Sequence, residues 1–137
     1  MSAGLAAQKA LRARLVGTTA VTNLVPAANI LDRNSRPNPD PSIIIGEGQE
    51  LEGDDIARTN RNIIFDMHVW KKELSLVGVK TIAGAMRTAI HSARLQLEAG
   101  FHCGDCHVIG MRYLRDPDGE TSHAVVTVSA MVGEVSS

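Results

Sequence analysis

Apolar and polar residues alternate over the longest stretch near the end of the chain, over residues 106–130. Ala124, Val126, Val128, Ala130 and Val132 fall on one side of a period-two pattern, and His123, Val125, Thr127, Ser129 and Met131 fall on the other. Upstream, Ile109, Met111 and Tyr113 share one face, with Val108, Arg112 and Leu114 opposite. Between the two runs stand Asp116, Pro117, Asp118 and Gly119. Proline presets φ, aspartate bonds its own backbone, and glycine accepts a positive φ. The pattern predicts a long β-hairpin that other elements must cover, because an isolated hairpin is marginal in water.

The rest of the chain reads in order. Residues 3–16 carry Leu5, Ala6, Leu11, Leu15 and Val16 at helical spacing, with Lys9, Arg12 and Arg14 off the stripe and Gly17 as a stop. A short helical turn follows, placing Val21, Leu24 and Val25 inward, and residues 29–32 suit a short strand. Residues 33–41 hold three prolines and two asparagines, which predicts an extended arm. Ile43–Ile45 form an apolar run expected in a central strand, and the chain then turns acidic. Glu47, Glu50, Glu52, Asp54 and Asp55 fall within nine residues, broken by Gly48 and Gly53. Residues 47–61 are expected as a projecting acidic loop or the tip of a long hairpin. In residues 62–70, Ile63, Phe65, Met67 and Val69 alternate with Ile64, Asp66, His68 and Trp70, a strand. Residues 74–92 are expected as the main helix, with Leu76, Val79, Ile82, Ala83, Met86 and Ile90 as its buried stripe. Residues 133–137 are read as a tail. The order implies a single α+β domain over residues 1–137: a mostly antiparallel sheet with a long C-terminal hairpin and helices packed on one face.

Composition narrows the function more than the fold. Aromatics are only 3% of 137 residues, so the core must be aliphatic, and stacking readers of single-stranded nucleic acid are disfavoured. A net charge of −1 offers no basic field to a polyanion. No apolar run approaches a membrane span, and the start lacks the order of a secretory leader. The expected compartment is the producing cell's cytoplasm, with the two cysteines as thiols.

Cys103, Cys106 and His107 match the C-x-x-C-H pattern of covalent haem attachment. With His102 they also offer four potential zinc ligands within six residues. Haem attachment requires export, and four near-adjacent residues reach poorly around a tetrahedral ion. A redox pair belongs at a helix start, whereas this one precedes a strand. The expected structure is a plain turn carrying two thiols, with no cofactor and no metal. No nucleophile–base pair and no phosphate-binding glycine loop is visible, so no enzyme is expected.

The arrangement resembles the small tail completion and tail terminator proteins of long-tailed phages and of gene transfer agents. The resemblance is carried by four stretches in their order. These are Gln8, Lys9, Ala10 and Leu11 in the opening helix, Met67 to Trp70 closing a strand, Ile82 to His91 in the main helix, and Tyr113 to Gly119 followed by His123 and the apolar strand. It spans roughly residues 5–132, and the Cys/His cluster at 102–107 departs from it. It implies a structural virion protein assembled in the host cytoplasm. Such proteins form a ring, usually a hexamer, at the head-proximal end of the tail tube. The ring ends tube polymerisation, joins the head connector, and leaves a channel through which DNA passes without specific binding.

In that setting the acidic residues Glu47, Glu50, Glu52, Asp54 and Asp55 are expected to face the lumen or the adjoining ring, because negative charge keeps DNA from sticking. Arg33, Arg36, Pro37, Pro39, Trp70, Arg112 and Arg115 are candidate subunit contacts. The alternatives are a head-side connector or stopper component and, from another class, a small metal- or haem-binding redox protein using Cys103, Cys106 and His107.

Overall fold

In the computed structural model, which describes residues 2–33 and 39–135, five strands form one sheet and the helices cover one of its faces. Helix α1 spans Ala3–Val16, α2 is the short Thr19–Thr22, and α3 spans Val77–His91. The strands are β1 (Ile30–Asp32), β2 (Ser42–Glu52), β3 (Asn60–Lys72), β4 (Phe101–Arg115) and β5 (Thr121–Glu134). Their spatial order is β1-β2-β3-β5-β4, and every pairing is antiparallel except β1 with β2. This is the α+β fold expected, with β4–β5 as the C-terminal hairpin. Among the described residues, no helix is long and apolar enough to cross a membrane.

Strand alternation decides what lies beneath the helices. Ile43 and Ile45 of β2, Ile63 to Val69 at odd positions of β3, and Ala124 to Val132 at even positions of β5 meet Leu11 and Leu15 of α1 and Ile82, Met86 and Ile90 of α3 in one aliphatic core. The turn into β5 is built as expected. Gly119 has φ +74°, and the Asp118 carboxylate accepts from the Glu120 and Thr121 amides at 2.8 and 2.9 Å.

Three bulges, invisible to a strict period of two, correct the expected faces. In β2, Gly46 and Glu47 together oppose one residue of β3, so Ile45 pairs with Met67 and Gly48 with Phe65. In β4 the extra residues are Gly104 and Ile109. The second puts Val108 on the core side with Met111 and Tyr113, and leaves Ile109, expected to share a face with them, 51% exposed.

Element boundaries shift for a related reason: a strand persists while its neighbour offers a ladder. Strand β2 continues through Glu52 against β3, so Glu47, Glu50 and Glu52 lie in a strand, and only residues 53–59 form the connection. The hairpin-tip form of the expectation holds, and the loop over 47–61 does not. Strand β4 begins at Phe101, after Gly100 at φ +98°, so Cys103, Cys106 and His107 sit within a paired strand rather than a turn. Gly133 and Glu134, expected in the tail, still pair within β5, whereas Ser136 and Ser137 lie outside the described residues. Of the proline-rich arm, 34–38 also lie outside them. The arm's end is anchored: Asn29 Nδ2 donates to the Pro41 carbonyl at 2.9 Å, and the Lys72 amide donates to Asp40 at 2.7 Å.

The two edges of the sheet are unequal. β1 is three residues long. β4 is fifteen, but its two bulges break the ladder, and the His91 ring accepts from the Val108 amide at 3.0 Å.

Candidate functional site

The bulge at Gly46 and Glu47 organises the acidic hairpin. Beyond it the parity of β2 is inverted, so Gly48, Glu50 and Glu52 turn toward the helix side and Leu51 toward the open face. Glu50 reaches the start of α1, where its carboxylate accepts from the Gly4 amide at 3.0 Å. A carboxylate there satisfies an amide with no intrahelical partner and sits favourably in the helix dipole. Glu52 pairs with Arg61 at 3.1 Å, and Arg61 also reaches Glu134 at 2.7 Å. The Asp55 carboxylate accepts from the Thr59 amide and hydroxyl at 2.9 and 3.2 Å, and these bonds hold its acidity stronger than usual. Asp54 is exposed, with no ion pair among the described residues.

Glu47 belongs to a cluster that linear spacing does not disclose. On the open face, His68 Nε2 lies 2.5 Å from Glu47 Oε1, and His68 Nδ1 lies 2.8 Å from His123 Nε2. The Trp70 ring stacks on His123 with centroids 3.7 Å apart. The register explains the meeting, since Trp70 pairs with His123 and His68 is two residues away on the same face. Gly46 makes room: a Cβ there would lie 2.6 Å from His68 Cδ2.

An ionised Glu47 only accepts, so His68 Nε2 donates to it, and the contact between the two rings then holds a single proton. The acidity of Glu47 is strengthened by its own backbone and by His68. His123 is pushed down to about 4 by burial first, then by the charges of His68 and Arg112, with Glu47 opposing. The cluster can hold or pass one proton, and no Ser or Cys nucleophile is hydrogen-bonded to it among the described residues.

The sign of the pH effect follows. An unfolded His123 takes a proton near 6.5 and the folded one near 4, so its stabilisation is complete above 6.5 and is lost as the pH falls toward 4. The denaturant midpoint is expected to drop across that window. Fluorescence of the single Trp70, which lies on the His123 ring, reports it. A His123→Gln variant is expected to show a shallower drop between those two pH values. Equal drops in both proteins would refute the assignment.

The cysteine–histidine stretch does not converge. Register sends Cys103 and Cys106 to the core side and His102 and His107 to the other, where His107 pairs with Asp105 at 3.1 Å. Both thiols are free, and burial pushes Cys106 up to about 12 and Cys103 up as well. A metal-binding thiolate requires the opposite shift. Among the described residues, no group of three or more His, Cys, Asp or Glu side chains is placed to hold a metal. What the stretch does form, with the end of α3, is one wall of a cleft of about 350 Å³ lined by Ile90, Ala93, Arg94, Asp105, Cys106 and His107 among others.

The candidate contact residues are dispersed. Arg36 and Pro37 lie outside the described residues, Arg33 and Pro39 flank that gap, and Arg112 is exposed on β4. Arg115 is tied down through the Leu74 carbonyl at 2.7 Å. Sequence reasoning missed His123, His91 and Arg14, whose partners lie 55, 17 and at least 75 residues away.

A protein family described as Tail completion protein gp17 matches residues 9–133. In fold, the chain is similar to one from the virion of a native gene transfer agent particle. The TM-score is 0.83 at 18% identity, over 97% of this chain and 99% of that one. It is also similar to the gp17 protein of bacteriophage SPP1, with a TM-score of 0.61 at 22% identity, over 98% of this chain and 91% of that one. No curated protein matches its sequence.

Proposed function

Because the chain belongs to the tail completion protein gp17 family, we propose that it performs structural tail completion as a ring, hexameric by the family resemblance, at the head-proximal end of the tail tube. The ring ends tube growth, joins the tail to the head connector, and leaves a channel for DNA. The observation that carries this reading beyond the family match is the placement of exposed apolar side chains at the two ends of the sheet. Leu51, Met131 and Val135 surround the 53–59 end of β3, whereas Leu24, Leu74 and Val77 surround the other. Strand β3 separates the two groups by roughly 40 Å, twelve steps of about 3.3 Å. Two unlike adhesive ends suit a subunit that must meet one partner above and another below. Its unlike lateral edges suit head-to-tail contacts that close into a ring. The carboxylates along the body of the β2–β3 hairpin, Glu47, Glu50 and Glu52, are assigned to the lumen or the adjoining ring, where negative charge keeps DNA moving.

The test is the mass in solution, alone and with the tail-tube protein, together with the length of tubes grown in its presence. A species of about six times 14.6 kDa, alone or on tube ends, with shortened tubes is the expected result. A monomer that ignores the tube and leaves its length unchanged would overturn the proposal. Binding to the connector alone would move the protein to the head side of the joint.

A further inference from the structure

Ile56 is 97% exposed at the tip of the β2–β3 hairpin, yet it is not on a loose loop. The Asp55 carboxylate clamps Thr59, the Arg58 amide donates to the Asp55 carbonyl at 3.2 Å, and the Gly53 amide donates to the Asn60 carbonyl at 2.8 Å. The turn therefore presents a large aliphatic side chain to water in a fixed place, with Asp54 before it and Arg58 after it. Pre-organisation of this kind lowers the ordering cost of binding.

The cleft between the end of α3 and β4 is its complement. The exposed Ala93 gives it apolar wall over the buried Ile90, Arg94 stands on the helix side, and Asp105, already paired with His107, borders it on the strand side. Arg94 makes no ion pair among the described residues. The walls are preformed, because Arg14 holds the carbonyls of Ala93 and Arg94, and His91 holds the Val108 amide. Position fits as well. The cleft residues Asp105 and Cys106 pair with Met131 and Ala130, which lie opposite Asn62 and Ile63, at the tip end of the sheet. The tip springs from β2 and β3, and the cleft lies beside β4 at the far edge. In copies set side by side, one subunit's tip therefore approaches its neighbour's cleft.

We propose that the hairpin tip of one subunit docks in the α3–β4 cleft of the next, with Ile56 against Ala93 and Asp54 facing Arg94. The contact is heterologous and repeats around a closed ring. It rests on the ring reading above and adds the surface that closes it.

The experiment uses the full-length protein, with mass by light scattering over a concentration series and circular dichroism as a check on folding. All these substitutions lie on exposed side chains, so the fold is expected to persist. Ile56→Ser is expected to raise the concentration at which rings appear at least about tenfold, the scale of losing one buried aliphatic side chain per junction. D54R alone and R94D alone are each expected to abolish rings through like-charge contacts. A 1:1 mixture of the two is expected to restore them, because every junction in an alternating ring then joins opposite charges.

Wild-type protein that makes no ring, even on the tube, defeats the ring reading and this contact with it. Wild-type rings together with unaffected Ile56→Ser and D54R rings overturn the contact and leave the ring reading standing. Rings that persist in the variants while tube binding is lost make the tip a tube contact, which also overturns it. So does a mixture that fails to assemble.

Discussion

Leu11→Ala is expected to destabilise the protein by about 3–5 kcal/mol, the upper part of the range for emptying a packed leucine site. Few large apolar side chains of helix α1 reach the core. Its large apolar residues are Leu5, Leu11, Leu15 and Val16, and of these only Leu11 and Leu15 are fully buried, at 1% and 0% exposure. Ala3, Ala6 and Ala7 are buried as well, so the helix backbone lies close to the sheet and cannot settle further into a void. A domain of this size is stable by roughly 5–15 kcal/mol, so the loss is a large share of the total. A urea titration of both proteins checks it, and a difference below about 1 kcal/mol would mean that the site collapses freely.

Arg14→Ala is expected to cost about 1–2 kcal/mol, the lower part of the scale for a charged donor, because its acceptors are partly or fully exposed. Its guanidinium donates to the carbonyls of Ala89 and Ala93 at 3.0 Å each and of Arg94 at 3.1 Å, and lies 3.3 Å from Ser92 Oγ. The end of α3 has carbonyls without intrahelical partners, and a cation from another helix satisfies several at once. Since Ile90, His91, Ala93 and Arg94 also wall the cleft, hydrogen exchange there is expected to accelerate more than in the β3–β5 ladder. An Arg14→Lys variant, with a point charge in place of a planar fork, should recover only part of the loss. Uniform acceleration through the whole molecule would show instead that Arg14 acts on global stability alone.

Where contacts are periodic, they were legible in the sequence. The stripe of α3, the odd face of β3 and the even face of β5 all followed from side-chain spacing, and the turn before Gly119 from its residue types. What escaped was of two kinds. A bulge adds one residue and inverts every face beyond it, so Glu50 and Glu52 ended on the helix side and Cys103 and Cys106 together on the core side. Only Gly46 and Gly104 hinted at such places, and Ile109 gave no hint. The second kind is long-range. His68 meets His123, and Arg14 meets the end of α3, only because the strand order brings them together, and no local pattern encodes that order. The candidate site was thus half visible. The acidic hairpin was found, but the histidine pair behind it and the cleft across the sheet were not.

The bulges in β4 and the brevity of β1 have a further consequence. An uninterrupted fifteen-residue margin would invite another chain to continue the ladder, and backbone pairing of that sort is indifferent to sequence and hard to reverse. Here neither margin is a template. Association is therefore left to side chains, whose charged contacts weaken with salt.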